Sequence, residues 1–242
     1  IIMKKILIYG GTSLISIELI KIYFKQNYEF IVFTRNKENF ISRIRKLDLD
    51  EKKFELFELD LSNLQENLRL ISGIKTNIQG ILWIAGETGN AINEFQDLNL
   101  AKKNIEINFL HPALIICKLI SKLNTDQENF IAVVTSVAGL RGRKKNFFYG
   151  SAKSGMISFL SGLRQKFSGQ INILTIIPGY MSTEKFDLNA SKFLVTSPER
   201  SARIIYNAIN NKKEIVFINF FWRVIMFFIS LIPEKIFKKL NF

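Results

Sequence analysis

Two residues four positions apart, Tyr149 and Lys153, are the strongest candidates for chemistry in this sequence. On a helix this spacing places both side chains on one face, so that the ammonium lies near the phenol. A neighbouring positive charge favours the phenolate and lowers the pKa of a tyrosine from about 10 toward a value useful in general acid/base catalysis. Such a pair also arises by chance, so its meaning depends on the motifs around it.

A glycine turn near the start of the chain indicates nucleotide binding. Residues 9–16 read Tyr-Gly-Gly-Thr-Ser-Leu-Ile-Ser and join an apolar run to a segment with helical spacing. In that context backbone amides and a helix N-terminus can hold a pyrophosphate. A dinucleotide turn normally has three glycines, and here Leu14 and Ser16 replace the second and third. An ordinary strand-helix turn is therefore an alternative.

Arg35 follows the second apolar run, at the place where a carboxylate would accept a hydrogen bond from the adenosine ribose. An arginine there can instead pair with a 2′-phosphate through charge-assisted hydrogen bonds. The sequence therefore favours NADP(H) as the cofactor, with NAD(H) as the alternative. In a third interpretation Arg35 only stacks on adenine or faces solvent.

Seven short apolar runs rich in β-branched residues predict buried strands, and segments with helical spacing separate them. The runs are 5–9, 30–34, 54–59, 81–85, 130–135, 171–177 and 214–218. Their alternation predicts an α/β fold with a doubly wound parallel sheet of the Rossmann type. Ligands of such sheets bind outside the carboxyl ends of the strands. Ser197 and Pro198 predict the start of a helix, and residues 179–196 predict a mobile loop over the substrate.

The composition predicts one globular domain over residues 1–219, since 48% of the 242 residues are apolar and 23% are charged. The net charge of +13 is spread along the chain without a basic block, so we expect no nucleic-acid partner. Cys117 and His111 are single residues of their types, which predicts neither a disulfide nor a zinc site. The first apolar run is too short for a signal peptide, and we expect a cytoplasmic protein.

Further motifs occur in the order found in short-chain dehydrogenases/reductases, which this chain resembles over nearly its whole length. The matching residues are Gly10-Gly11-Thr12-Ser13, Asp60-Leu61, Ala85-Gly86, Asn108, Ser136, Tyr149 with Lys153, Pro178-Gly179 and Thr183. Trp83 and Ile84 replace the two asparagines of the family's Asn-Asn-Ala-Gly turn. The resemblance implies the same Rossmann-type fold and a nicotinamide cofactor.

The resemblance also implies a role for each matching residue. Tyr149 would exchange a proton with the substrate oxygen while hydride moves to or from the nicotinamide, and Lys153 would lower the pKa of Tyr149 and hold the cofactor ribose. Ser136 would hydrogen-bond the carbonyl oxygen, and Asn108 would support a chain of water molecules. Without the resemblance, Ser136 would be a hydroxyl that caps backbone and Asn108 a polar helix residue. The expected cofactor contacts are Gly10, Thr12, Ser13, Leu14, Ile15, Arg35, Asp60, Leu61, Ala85, Gly86, Tyr149, Lys153, Pro178, Gly179 and Thr183.

Within the family, three segments most resemble reductases of the decaprenylphosphoryl-2-keto-ribose type, which act on a lipid-linked sugar. These segments are 10–13 (Gly-Gly-Thr-Ser), 136–139 (Ser-Val-Ala-Gly) and 146–151 (Asn-Phe-Phe-Tyr-Gly-Ser). The resemblance implies a small-molecule or lipid-linked carbonyl substrate. Because a fold does not fix a function, a non-catalytic nucleotide-binding protein or a membrane adaptor on the same fold are the alternatives.

Residues 220–242 form an amphipathic C-terminal segment that is too interrupted by Arg223, Pro233 and Glu234 to span a membrane. A stripe with helical spacing consists of Trp222, Ile225, Met226 and Ile229, and Lys235, Lys238 and Lys239 follow it. An apolar stripe with a basic flank predicts binding to an anionic membrane surface, at the inner face of the membrane. We expect a homo-oligomer, and in the alternative the stripe packs on the domain or on a second subunit.

Overall fold

The structure is a computed structural model that describes residues 4–74, 78–123, 128–182 and 192–240. Its strands are β1 (Lys5–Tyr9), β2 (Glu29–Thr34), β3 (Phe54–Glu58), β4 (Gly80–Trp83), β5 (Asn129–Val134), β6 (Ile171–Ile177), β7 (Tyr180–Met181), β8 (Val195–Thr196) and β9 (Ile215–Phe217). Its helices are α1 (Leu14–Phe24), α2 (Lys37–Lys46), α3 (Leu64–Gly73), α4 (Ala91–Gln96), α5 (Leu98–Ile105), α6 (His111–Ile120), α7 (Phe147–Lys166), α8 (Pro198–Asn210), α9 (Phe220–Leu231) and α10 (Glu234–Phe237).

The main sheet has seven parallel strands in the order β3-β2-β1-β4-β5-β6-β9, which confirms the predicted fold class. The chain winds outward from β1 to β3 and then returns to β4 on the other side of β1. The switch in strand order therefore lies between the carboxyl ends of β1 and β4, where ligands of such sheets bind.

Strand β1 shows why the strands are almost entirely apolar. Ile6 and Ile8 belong to the core that α1 and α8 cover, whereas Leu7 and Tyr9 belong to the core under α3, α6 and α7. All four side chains are at most 1% exposed. Since helices cover both faces, each position of the strand must be apolar, and the sequence is a continuous run rather than an alternation.

The predicted start of α8 is confirmed. Ser197 accepts a hydrogen bond from the Arg200 amide at 3.3 Å, and Pro198 is the first helical residue. The segment predicted to be a mobile loop contains β7 and β8, which pair in parallel, and its part over 183–191 lies outside the described residues. The prediction for Thr183 falls there.

The stripe on α9 that was predicted to face a membrane packs on the domain instead. Trp222 and Met226 are 6% and 3% exposed and form a small core with Val137 and Ile177. Ile225 and Ile229 pack against this core. The alternative interpretation, packing on the domain, therefore holds for these four residues. Within the described ranges no helix has the length and apolar character needed to cross a membrane.

Candidate active site

The turn between β1 and α1 is closed by the backbone of Gly10 and the side chain of Ser16. Gly10 has a φ of +92°, and a methyl group there would lie 2.8 Å from the backbone nitrogen of Ala85. The Ser16 hydroxyl is fully buried and donates to the Gly10 carbonyl at 2.7 Å. The serine at the third glycine position therefore stabilises the turn, since its hydroxyl forms a hydrogen bond inside it.

A cavity of about 260 Å³ opens beside this turn at the carboxyl ends of β1, β2, β3 and β4. Eight of the predicted cofactor contacts line it, namely Gly10, Thr12, Ser13, Arg35, Asp60, Leu61, Ala85 and Gly86. The predicted contacts Leu14 and Ile15 do not line this cavity, and Ile15 is buried in the core. Both residues lie at the start of α1, where backbone amides can hold an anionic group.

Side chains of opposite charge line the cavity where β2 and β4 end. Arg35 forms an ion pair with Glu87, and their side chains are 69% and 41% exposed. The Asp60 carboxylate accepts a hydrogen bond from the Ser62 amide at 2.8 Å, which is the main reason that its pKa lies below the usual value. Glu87 was not predicted from the sequence, since it follows the Ala-Gly turn, where no carboxylate was expected.

Asn108 and Lys153 approach Gly86 from two sides. A methyl group at Gly86 would lie 2.8 Å from Asn108 Oδ1 and 3.1 Å from Lys153 Nζ. Asn108 Oδ1 accepts from the Glu87 amide at 3.2 Å, and Asn108 Nδ2 donates to the Glu87 carbonyl at 2.7 Å. Asn108 itself lies in a π-helical turn, Glu106–Leu110, a local geometry that is frequent at functional sites.

A buried carboxylate connects to Asn108 through a second asparagine. Asn108 Nδ2 donates to Asn104 Oδ1 at 3.0 Å, and Asn104 Nδ2 donates to Glu94 Oε1 at 2.6 Å. Glu94 is 2% exposed, and Gly89, with a φ of +69°, leaves the room that the pair occupies. The spacing of Asn104 and Asn108 on one helix face was a usable signal, but nothing in the sequence pointed to Glu94 on a separate helix.

Ser136 and Tyr149 meet where β5 ends. Ser136 Oγ accepts a hydrogen bond from the Ala138 amide at 3.1 Å, so the capping role considered from the sequence is present. The Ser136 side chain also lies close enough to the Tyr149 phenol to favour its ionised form. Lys153 lies one turn further along α7, with Nζ 5.6 Å from the centre of the Tyr149 ring and 3.2 Å from the Val134 carbonyl, to which it donates.

The pKa of Tyr149 is raised above its usual value, whereas the sequence predicted that it would be lowered. Burial is the largest cause, and it outweighs the Ser136 side chain and the charge of Arg143, which both favour the phenolate. Burial also lowers the pKa of Lys153 to about 8. The phenol is therefore protonated at neutral pH and can serve as a proton donor.

Arg143 is a further residue that the sequence analysis missed. It belongs to the run Arg-Gly-Arg-Lys-Lys at 141–145, between Ser136 and Tyr149. Its Nε is buried without a hydrogen-bond partner among the described residues. A buried guanidinium nitrogen without a partner is costly, and an anionic ligand would satisfy it.

Pro178 and Gly179 follow β6 on the side of the site that faces α9. The Pro178 carbonyl accepts from the Val137 amide at 3.1 Å. Gly179 packs against the Trp222 indole so closely that no side chain would fit, and Trp222 Nε1 donates to the Leu194 carbonyl at 3.0 Å. Helix α9 therefore forms the support behind this segment.

Comparisons with known proteins show the family of this chain. The family model described as short chain dehydrogenase matches residues 4–192. An uncharacterized oxidoreductase of Mycobacterium tuberculosis is 27% identical over 137 residues, which cover 56% of this chain and 55% of that protein. The chain thus spans about half the length of the curated relatives that match it first. Ketoacyl reductase HetN of Nostoc is 22% identical, with 89% of this chain and 78% of that protein covered.

Two solved structures have the same fold. A short chain dehydrogenase from Burkholderia cenocepacia in complex with NADP has a TM-score of 0.79 at 14% identity, covering 98% of this chain and 97% of that chain. ElxO with NADP bound also has a TM-score of 0.79, at 18% identity, covering 92% of this chain and all of that chain.

Proposed function

This chain belongs to the short-chain dehydrogenase family, whose model matches most of its length, and we propose that it is an NADP(H)-dependent oxidoreductase. It transfers hydride between the nicotinamide and a carbonyl or alcohol substrate. The observation that carries the proposal is that Ser136, Tyr149 and Lys153 lie together, and that Lys153 Nζ packs on Gly86, which lines the cavity beside the glycine turn.

The residues fit a dinucleotide, since Gly10, Thr12 and Ser13 before α1 line the cavity, and Arg35 and Asp60 line it where β2 and β3 end. The bound nicotinamide supplies or accepts the hydride. In the reducing direction Tyr149 donates its phenolic proton to the substrate oxygen, and Ser136 donates a hydrogen bond to the same oxygen as negative charge grows on it. The Lys153 ammonium stabilises the resulting phenolate, and Asn108 holds the turn at Glu87 in place.

Arg35 supports a preference for NADP(H). Its ion pair with Glu87 is exposed, and such pairs contribute at most about 1 kcal/mol, so a 2′-phosphate can displace the carboxylate at little cost. NADP in the Burkholderia protein and in ElxO supports the same choice. Glu87 could accept hydrogen bonds from ribose hydroxyls, which keeps NAD(H) as the alternative cofactor.

The surroundings of Tyr149 support an anionic carbonyl substrate with an apolar part. Arg143, Lys144 and Lys145 precede Tyr149 and supply cations, and the Arg143 Nε lacks a partner among the described residues. Phe95 is 74% exposed and its ring contacts Phe147, at the start of the helix that carries Tyr149. A lipid-linked keto-sugar with a phosphate group has both properties, and we propose it as the substrate class, used in the cytoplasm at the inner face of a membrane.

The test is oxidation of NADPH and NADH with a panel of keto-sugars, lipid-linked and free. Tyr149→Phe keeps the ring and removes the proton donor, so its turnover should fall about a hundredfold or more while NADPH still binds. Equal rates for this variant and the wild type would refute the catalytic assignment. Cofactor binding without turnover on the whole panel would favour a non-catalytic nucleotide-binding protein.

The cofactor preference has its own test in Arg35→Ala. The KM for NADPH should rise about tenfold or more, because a charge-assisted contact to phosphate is lost, and the KM for NADH should change little. Glu87→Gln is the matched control, since it removes the ion pair and leaves the guanidinium free. Equal losses for both cofactors in Arg35→Ala would contradict the NADP(H) preference.

A further inference from the structure

We propose that the outer face of α9 rests on an anionic membrane surface and so places the substrate site beside lipid. The outer face is defined as the exposed apolar residues of α9, which are Phe220, Phe221, Val224, Phe227, Phe228 and Leu231. It lies opposite the stripe that the sequence had assigned to the membrane. Vesicle binding tests this proposal independently of the catalytic function.

The outer face is unusually apolar for a surface. Phe228 and Leu231 are 62% and 63% exposed, and the spacing 220, 224, 227, 231 places its members along one side of the helix. Single exposed hydrophobic residues are normal, but a contiguous group of exposed aromatic side chains marks a surface that binds a membrane or another protein.

Contacts on the side of α9 opposite the outer face hold the helix in an orientation that leaves the outer face exposed. Trp222 and Met226 fill the small core described above. Arg141 fixes the junction of α9 and α10, because its guanidinium donates to the Ser230 carbonyl at 3.4 Å, to the Ile232 carbonyl at 3.1 Å and to Glu234 at 2.8 Å. The outer face therefore cannot turn inward without breaking these contacts.

The charges around the outer face select an anionic lipid. Arg223, Lys235, Lys238 and Lys239 are exposed cations of residues 220–240. Glu234 is the acid of this segment, and Arg141 already pairs with it. Phenylalanines beside a basic flank are typical of helices that lie in the interface of an anionic bilayer. In a two-fold contact, both copies would bring the same net positive segment 220–240 to the interface, which makes a second copy of this chain the less favourable occupant.

The position of α9 connects the outer face to the substrate site. The Trp222 ring contacts Tyr180 in an edge-to-face arrangement with centres 5.3 Å apart, and Trp222 also packs on Gly179. Phe193 is 78% exposed, and its carbonyl accepts from Asn219, the residue that caps α9, at 2.7 Å. A bilayer in contact with α9 would therefore lie next to the segment that borders the active site, where an apolar substrate could leave the lipid.

Cosedimentation of the full chain with vesicles tests the proposal. Binding to phosphatidylglycerol vesicles is expected to exceed binding to phosphatidylcholine vesicles and to fall with added salt. Phe227→Ser with Phe228→Ser should weaken partitioning about tenfold or more, because each ring loses its apolar burial. Lys235→Gln with Lys238→Gln and Lys239→Gln should weaken binding to the anionic vesicles by about a hundredfold and remove most of the salt dependence.

The matched control is Leu114→Ser with Ile215→Ser, which removes two apolar side chains of similar exposure from other elements, at 44% and 49%. It should bind vesicles like the wild type, and melting temperatures should show that every variant folds. Equal binding of the Phe227 and Phe228 double variant and the wild type would overturn the proposal. The proposal is also overturned if the wild type ignores anionic vesicles while the double variant changes from oligomer to monomer in sedimentation, since the outer face would then be an interface between copies.

Discussion

The buried ammonium of Lys153 is needed for catalysis, but we expect it to lower the stability of the folded protein. Its side chain is 3% exposed, and its ammonium donates to the Val134 carbonyl at 3.2 Å. None of the ion pairs among the described residues includes it. Methionine has a similar length and no charge, so Lys153→Met removes the buried ammonium and keeps most of the packing.

The expected gain in stability follows from the pKa of Lys153. Burial lowers this pKa to about 8, whereas the unfolded chain has the ordinary value of 10.5. At 1.4 kcal/mol per pH unit, the buried ammonium costs about 3 kcal/mol below about pH 8. Methionine avoids this cost but loses the hydrogen bond to Val134, worth about 1 kcal/mol. At neutral pH Lys153→Met should therefore be more stable than the wild type by about 2 kcal/mol.

The advantage of the variant should disappear at high pH. Between about pH 8 and about pH 10.5 the unfolded wild-type chain binds a proton that the folded protein has released, so the stability of the wild type rises with pH in this window. Above it the two proteins should differ only by the hydrogen bond, and the wild type should be the more stable by about 1 kcal/mol.

Urea unfolding of the cofactor-free proteins from about pH 7 to about pH 10 measures this difference, and subtracting the two curves removes the titration of all other groups. The same variant should have lost its NADPH-dependent activity. A stability difference that does not change with pH, or a variant that is less stable already at neutral pH, would refute the reasoning that the buried ammonium is unfavourable.

Three further changes test the contacts around the cavity. Ser16→Ala removes the hydroxyl that closes the glycine turn, and urea unfolding should show a loss of about 1 kcal/mol. Glu94→Leu removes the acceptor of Asn104, so kcat should fall about tenfold with the KM for NADPH unchanged, and Glu94→Gln should restore it because an acceptor oxygen remains. Gly86→Ala brings a methyl group 2.8 Å from Asn108 Oδ1, so titration of NADPH fluorescence should show about tenfold weaker binding.

Each of these three predictions has a result that would contradict it. An unchanged stability of Ser16→Ala would mean that the turn closes without the hydroxyl. If Glu94→Leu lowered only the melting temperature and left kcat intact, Glu94 would be a packing residue without influence on Asn108. Normal NADPH binding by Gly86→Ala would show that the packing of Asn108 and Lys153 on Gly86 does not shape the cofactor site.

The inner strands of the main sheet could be predicted because they are buried on both faces, whereas the edge strands β3 and β9 are partly exposed. Each predicted run of the sequence corresponds to one strand, and the run 171–177 matches β6 (Ile171–Ile177) residue for residue. Local signals were equally direct at α8, where Ser197 and Pro198 mark the start of the helix. These signals depend on neighbours in sequence or on burial, and both can be read from one chain.

The site was only partly predictable, because several of its contacts join residues far apart in the sequence. The turn of Gly10 and the pair of Tyr149 and Lys153 are local patterns with a fixed spacing. Glu87 reaches Arg35 across 52 positions, and no periodicity encodes such a contact. The direction of the Tyr149 pKa was missed for a related reason, since the burial that raises it comes from the whole surroundings of the ring.

The orientation of helix α9 could not be predicted from its pattern of apolar residues. Apolar residues occur all around it, so the sequence could establish a helix but not which of its sides faces the domain. Trp222 and Met226 were chosen as the lipid-facing side, and the structure buries them instead. The side that faces the domain depends on contacts with the rest of the fold. The Trp222 indole packs on the backbone of Gly179, whereas Phe227 and Phe228 stay exposed. The side that remains after this packing is the one that lipid can reach, so the fold itself determines which phenylalanines a membrane would meet.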